Sequence, residues 1–140
     1  MSLGSAPRET ATRLHGDCWR AVGGGLVELL ASRCARCKAM FLPRMFTCTE
    51  CGGNEFAEAV LSPEGTLYSF TIVRGSGGVW PDVYAVGYVD YPEGVRVFGH
   101  LRREEIDELA IGMTVRTEEA TLYTAKDGTP ARCFRFVRSN

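Results

Sequence analysis

RCARCKAMFLPRMFTCTECGG, residues 33–53, holds four of the six cysteines of a 140-residue chain. They form two pairs, Cys34-x2-Cys37 and Cys48-x2-Cys51, with ten residues between the pairs. A C-x2-C turn lets both sulfurs face one point while nearby backbone amides soften their charge, and two such turns supply the four thiolates that tetrahedral Zn(II) favours. Gly52-Gly53 follows the last cysteine, where the turn needs positive φ or room for the chain to reverse. A redox motif needs one C-x2-C before a helix in a βαβ setting, and that setting is absent. A catalytic zinc keeps a coordination position open for water. Four cysteines close the shell, so the expected ion is a structural Zn2+ on Cys34, Cys37, Cys48 and Cys51. Metal binding then supplies folding energy to a segment too short for a core of its own.

The rest of the chain bounds the setting. The net charge is −1, which gives no general pull toward nucleic acid or an acidic membrane. No run approaches the roughly 18 apolar residues of a membrane helix. Ala21–Ala31 is broken by Glu28 and three glycines and is followed by no clean cleavage site. A cytoplasmic protein is expected, and there paired cysteines read as metal ligands rather than disulfides. Cys18 and Cys133 lack partners at ligand spacing and read as buried thiols. His15 and His100 read as structural.

Around the ribbon the chain divides into an N-terminal helical segment (1–25), the zinc ribbon (26–61) and a β domain (62–140). Ala11, Leu14, Cys18 and Val22 recur at helical spacing, which predicts a helix over 8–22 that Gly23-Gly24-Gly25 ends. Its apolar stripe either packs on its own chain or docks a partner. Leu26–Leu30 leads into the ribbon, and Phe56–Ser62 bridges out of it. Then come strands at Thr66–Arg74, Val83–Tyr91 and Val95–Leu101, a helical turn with Ile106 and Leu109 facing inward, and strands at Thr114–Tyr123 and Ala131–Val137. Three strands, a helix and two strands is the order of a five-stranded OB barrel. Gly87 and Gly99 fall mid-strand, where a small barrel must bend sharply. The loop GSGGVWPD, residues 75–82, joins the first two barrel strands. Its Trp80 either folds back on the barrel or inserts into another surface.

With ribbon and barrel placed, the chain resembles the small acyl-CoA-associated proteins with an N-terminal rubredoxin-like zinc ribbon and a C-terminal OB fold, long catalogued as a domain of unknown function. The residues that carry the resemblance are RCARC, LPR and CTECGG, then GTLYSFTIVR, YAVGYVDYPEGVRVFGHL, IGMTV and CFRFV, over about residues 15–138. LPR stands where many relatives have a double proline before the arginine. The resemblance implies a non-catalytic accessory subunit of a thiolase-like enzyme, or less often of a hot-dog-fold enoyl-CoA hydratase. The implied complex is a hetero-oligomer, two plus two, acting on acyl-CoA thioesters by C–C cleavage or formation or by acyl transfer. The small subunit would complete the channel for substrate and CoA. The implied zinc is structural, and no catalytic residue carries over.

Two other functions compete. An OB module that binds single-stranded nucleic acid would stack bases on Tyr84, Tyr88 and Phe98. From Ser62 onward, however, nine Lys/Arg face eleven Asp/Glu, a net of −2, where a positive groove is required. A stand-alone enzyme would need an activated nucleophile, and neither Cys18 nor Cys133 has a readable activating neighbour. For an acyl-CoA partner, two basic clusters are candidates to meet CoA phosphates: Arg33, Arg36, Lys38 and Arg44 on the ribbon, and Arg132, Arg135 and Arg138 on the last strand. Trp19 and Trp80 join them as candidate partner contacts. The knuckle and first helix are expected to form a docking platform, with the Trp80 loop reaching toward the acyl-CoA site.

Overall fold

Side chains that alternate in and out from Glu64 to Arg138 close into a barrel. The computed structural model describes residues 11–139. Among them the chain forms β1 (Thr12–Arg13), β2 (Trp19–Gly23), β3 (Leu26–Cys34), β4 (Met40–Phe41), β5 (Phe56–Val60), β6 (Glu64–Arg74), β7 (Val83–Asp90), β8 (Arg96–Leu101), a 3-10 helix at Arg103–Glu108, β9 (Thr114–Thr124) and β10 (Pro130–Arg138). β6 pairs antiparallel with β7 (Leu67 opposite Val89) and β7 with β8 (Val89 opposite Val97). β10 then lies parallel to β8 (Phe136 opposite Leu101) and antiparallel to β9. β9 returns to β6 with Gly65 opposite Val115, which closes the ring of strand pairings while β8 leaves the start of β10 unpaired on that side. This is the five-stranded OB topology expected from the sequence.

Leu67, Ala85, Val89, Val97, Leu101, Val115 and Phe136 fill the interior. Fully burying an aliphatic side chain of this size contributes about 1.5–3 kcal/mol. Ile106 and Leu109 of the short helical segment pack against the same core, half-buried. Gly87 and Gly99 face each other across β7 and β8. Room, rather than bending, requires them. A Cβ on Gly87 would run into the Ser69 carbonyl oxygen, and one on Gly99 would lie 2.7 Å from the Phe136 ring.

The expected helix over 8–22 does not form where the chain is described; residues 8–10 lie outside the described part. Thr12 and Arg13 instead add in parallel to the edge of β10, opposite Ala131 and Arg132. A turn containing His15 at a φ of 52° leads into β2, which pairs with β3. The apolar spacing that suggests a helix is satisfied by two short extended pieces. Leu14 packs on the core and Cys18 is buried, while Val22, the last of the series, is exposed. Trp19 takes the central place at 0 % exposure. Its indole N–H donates to the Leu14 carbonyl at 2.8 Å, and the Arg13 guanidinium lies 3.7 Å from its ring centroid.

β3 is the rod that joins barrel to ribbon. Residues 26–29 pair with β2, and Leu26 also pairs with Glu118 of β9. The buried Thr117 hydroxyl donates to the Val27 carbonyl at 2.9 Å. Further on, Leu30–Cys34 pairs with β5, ending at Cys34 opposite Phe56, while Ser32 and Arg33 also pair with β4. A second link crosses from the barrel turn. Glu93 Oε2 accepts from the Ser62 amide at 3.0 Å and from the Ser62 hydroxyl at 2.6 Å.

Candidate metal centre and docking surface

The end of β3 delivers Cys34, and two turns of identical backbone pattern deliver the other sulfurs. In the first, the Cys34 amide donates to the Ala39 carbonyl (2.8 Å) and the Lys38 amide to the Cys34 carbonyl (3.0 Å). In the second, the Cys48 amide donates to Gly53 (2.7 Å) and the Gly52 amide to Cys48 (2.9 Å). The residue after each second cysteine has positive φ, 69° at Lys38 and 79° at Gly52. Gly53 lies close against the cluster: a Cβ there would touch Cys51 Sγ and Cys34 Sγ at ordinary contact distance and press on the Arg36 side chain at 3.1 Å.

The four Sγ atoms lie within 4.8 Å of one another. Cys34 to Cys51 and Cys37 to Cys48 are each 3.5 Å. Four sulfurs about 2.3 Å from a tetrahedral ion stand about 3.8 Å apart, so the cluster has the size of a metal-thiolate shell. Its electrostatics also call for a cation. The Cys37 amide, joined by that of Arg36, holds the Cys34 thiol down to about 6 despite burial. Cys37 goes the other way, to about 12: the Ala39 amide favours its thiolate, but desolvation and the neighbouring sulfurs outweigh it. Bare thiolates cannot crowd together unpaid in this way, and a divalent ion removes the conflict.

Of the two basic clusters, only one is uncommitted. Arg135 donates to Glu118 at 2.7 Å, and Arg132 bonds the Thr121 hydroxyl at 2.7 Å and approaches Glu119 at 3.4 Å. Arg138 is held by Glu108 at 2.8 Å. Each last-strand arginine is therefore tied to a different carboxylate, and Arg135 shares Glu118 with Arg102 at 2.8 Å. On the ribbon, Arg33, Arg36, Lys38 and Arg44 are all exposed, and none forms an ion pair with a carboxylate among the described residues. Phe46, in the same ribbon segment, is 91 % exposed.

Trp80 folds back on the barrel. Its ring stacks on His100 at 5.1 Å and 10°, lies over Tyr84 at 5.4 Å, and meets Tyr123 edge-on at 4.6 Å. Burial under this stack lowers the His100 pKa. Beside it runs a cavity of about 320 Å³ that His15, Phe98 and Phe134 share with a second of about 330 Å³ reaching Leu42 and Pro43. Trp80 remains half-buried and available at this rim. Trp19 does not, because it lies in the core at 0 % exposure.

Cys18 and Cys133 are buried, as their lack of ligand spacing suggests. Burial pushes both thiols up, Cys133 to about 11. Neither is poised as a nucleophile at neutral pH. Two features escaped the sequence reading. Phe46 lies in a stretch dense with apolar letters, MFLPRMF, where period gives no clue to which face packs. The Ser62–Glu93 link joins residues 31 apart, and only the register of β6, β7 and β8 brings them together. No helix among the described residues is long and apolar enough to cross a membrane.

Comparison with known proteins agrees with this architecture. The family profile described as "ChsH2, C-terminal OB-fold domain" matches residues 58–118. Over 135 residues the chain is 33% identical to benzoylsuccinyl-CoA thiolase subunit BbsA of Thauera aromatica, covering 89% of this chain and 87% of that one. It is 28% identical over 88 residues to a DUF35 domain-containing scaffold protein of Methanothermobacter thermautotrophicus, covering 61% and 66%. Among solved structures, one described as "Ltp2-ChsH2(DUF35) aldolase" superposes with a TM-score of 0.62 at 26% identity, over 77% of this chain and 84% of that one.

Proposed function

We infer the function from one premise: this chain belongs to the ChsH2 and DUF35 family, whose members include the BbsA thiolase subunits. We propose that it is an accessory subunit of a thiolase-like enzyme acting on acyl-CoA thioesters. The observation that carries this reading is the match to a thiolase subunit over 89% of this chain and 87% of that one. Thiolase chemistry needs an activated cysteine. Here four cysteines form a closed shell, and the two outside it are buried with raised pKa values. The nucleophile is therefore assigned to the partner, and this chain to completing and holding the partner's site.

The ion of the four-cysteine centre is assigned as Zn2+, held by Cys34, Cys37, Cys48 and Cys51. Its contribution is structural, fixing the two turns that position the ribbon's cations. For CoA phosphates we assign the ribbon cluster in preference to the last strand, because Arg132 and Arg135 already serve carboxylates. Trp80 and its neighbours line the face turned to the acyl channel. The location is cytoplasmic, where thiolates stay reduced for the metal.

The test is kinetic. In the assembled enzyme, Arg36→Ala with Lys38→Ala should raise KM for the acyl-CoA with kcat little changed, the signature of lost uniform binding. Arg132→Ala with Arg135→Ala should leave KM alone. Unchanged KM for the ribbon pair would remove CoA contact from this chain's role.

A further inference from the structure

The ribbon loop between the two cysteine pairs contains two phenylalanines with opposite fates. Phe41, on β4, packs edge-on against Phe56 at 6.3 Å. Phe46, five residues on, is 91 % exposed, the most exposed large apolar side chain among the described residues. The next is Ile111 at 69 %. The fold makes no use of Phe46. A single exposed apolar residue is ordinary by itself. This one differs in how its loop is held and in the charge of the segment that carries it.

The loop is pinned at both ends. Cys37 and Cys48, which bracket it, meet at 3.5 Å in the thiolate cluster. β4 fastens its first half to β3, with Phe41 opposite Ser32, and Leu42 packs against the core. Phe46 is thus presented on a constrained platform, which lowers the entropy lost when it is buried by a partner. The charge of that segment is one-sided. From 33 to 55 the ribbon carries Arg33, Arg36, Lys38 and Arg44 against Glu50 and Glu55, a net of +2, in a chain of net −1. None of these four cations has an internal ion pair among the described residues. An exposed aromatic anchor on a segment of net positive charge, with Arg44 two residues from it in sequence, is the pattern of a binding hot spot with a charged rim.

We propose that Phe46 is the anchor by which this chain docks on the thiolase-like subunit, entering an apolar pocket whose rim carries Asp and Glu. The proposal rests on the accessory-subunit reading and names the chemistry of the surface that receives it. Arg44, two residues from Phe46, supplies rim attraction, which speeds encounter and makes association salt-dependent, while Arg36 and Lys38 are left to CoA. Phe46 supplies the buried contact, which governs dissociation.

The experiment uses the full-length, metal-loaded chain and the thiolase-like subunit that accompanies it on purification from its native cells. Because Phe46 is exposed, Phe46→Ala should keep the wild-type melting temperature and metal content. It should weaken association by about tenfold or more, chiefly through faster dissociation. Arg44→Glu should slow association at low salt and flatten its salt dependence. A photo-crosslinking benzoylphenylalanine at position 46 should label the thiolase-like subunit, on a peptide flanked by acidic residues. If the wild-type chain holds the thiolase-like subunit and Phe46→Ala holds it equally well, the anchor is overturned and the accessory-subunit reading stands. The same follows if the label lands on a second copy of this chain or on nucleic acid while the complex forms. If the wild-type chain retains no thiolase-like subunit, the reading and the anchor fall together.

Discussion

Lys38 and Gly52 occupy the same place in the two cysteine turns. Each follows a second cysteine, each donates its amide to the first cysteine of its pair, and each has positive φ, 69° and 79°. Only glycine adopts that conformation without steric cost, and for other residues the left-handed region costs about 1–2 kcal/mol. The first turn therefore tolerates a strain that the second avoids.

An asymmetric response follows. Gly52→Ala places a Cβ where φ disfavours it and should destabilise the ribbon by about 1 kcal/mol. Lys38→Gly relieves the same strain but adds freedom to the unfolded chain, so the two effects nearly cancel. Thermal melts with chelator competition check both. Equal losses in the two variants would contradict the equivalence of the turns.

Gly87→Ala and Gly99→Ala test the barrel. The first drives a Cβ into the Ser69 carbonyl oxygen on an adjacent strand, which cannot move without breaking the ladder. The second meets the rings of Phe136 and Phe134, at 2.7 and 3.0 Å. Each should cost about 1–3 kcal/mol, the range for overpacking, with Gly87 at the upper end because its obstacle is backbone. Denaturant melts supply the comparison, and a neutral Gly87→Ala would refute the packing described for β6 and β7.

Most of the barrel was legible because its strands alternate with period two and its turns carry glycine and proline. The metal ligands were legible because spacing alone defines them. The N-terminal segment was not. Its apolar residues at 11, 14, 18 and 22 fit a helical period as well as they fit two short strands, and the choice is made by the open edge of β10, which lies some 120 residues away in sequence. Trp19 was misplaced for the same reason: nothing local tells a core tryptophan from a docking one. The basic clusters looked alike as letters. Glu118, through Arg102 and Arg135, separates them only once β8, β9 and β10 are assembled.

His100 makes stability depend on pH. Burial lowers its pKa in the folded chain, so the unfolded chain binds a proton first as pH falls. The stability it confers is complete above the unfolded value near 6.5 and is lost as pH falls from there through the folded value. His100→Phe keeps a ring for Trp80 to stack on and removes the titration. Between about pH 7.5 and 5.5 the wild type should lose more stability than this variant. Parallel losses would mean that the acid sensitivity lies elsewhere, in the thiolates for example.

Metal removal should act on one part of the chain. One divalent ion per chain is expected, absent from Cys48→Ser. A strong chelator should raise hydrogen exchange in 34–56, where the turns depend on the ion, before it does so in β6–β10, where a closed barrel holds its own core. Simultaneous exposure of both would show that the ribbon and barrel unfold as one unit.

Identification of what binds this chain in its own cells bears most directly on its role. The chain, tagged at its C-terminus, would be purified under mild conditions and its companions quantified by mass spectrometry. A thiolase-like protein in stoichiometric amount, with acyl-CoA activity that disappears when the small subunit is removed, is the result predicted here. Acyl-CoA turnover by this chain alone, or recovery of nucleic acid in place of a thiolase-like subunit, would contradict the account.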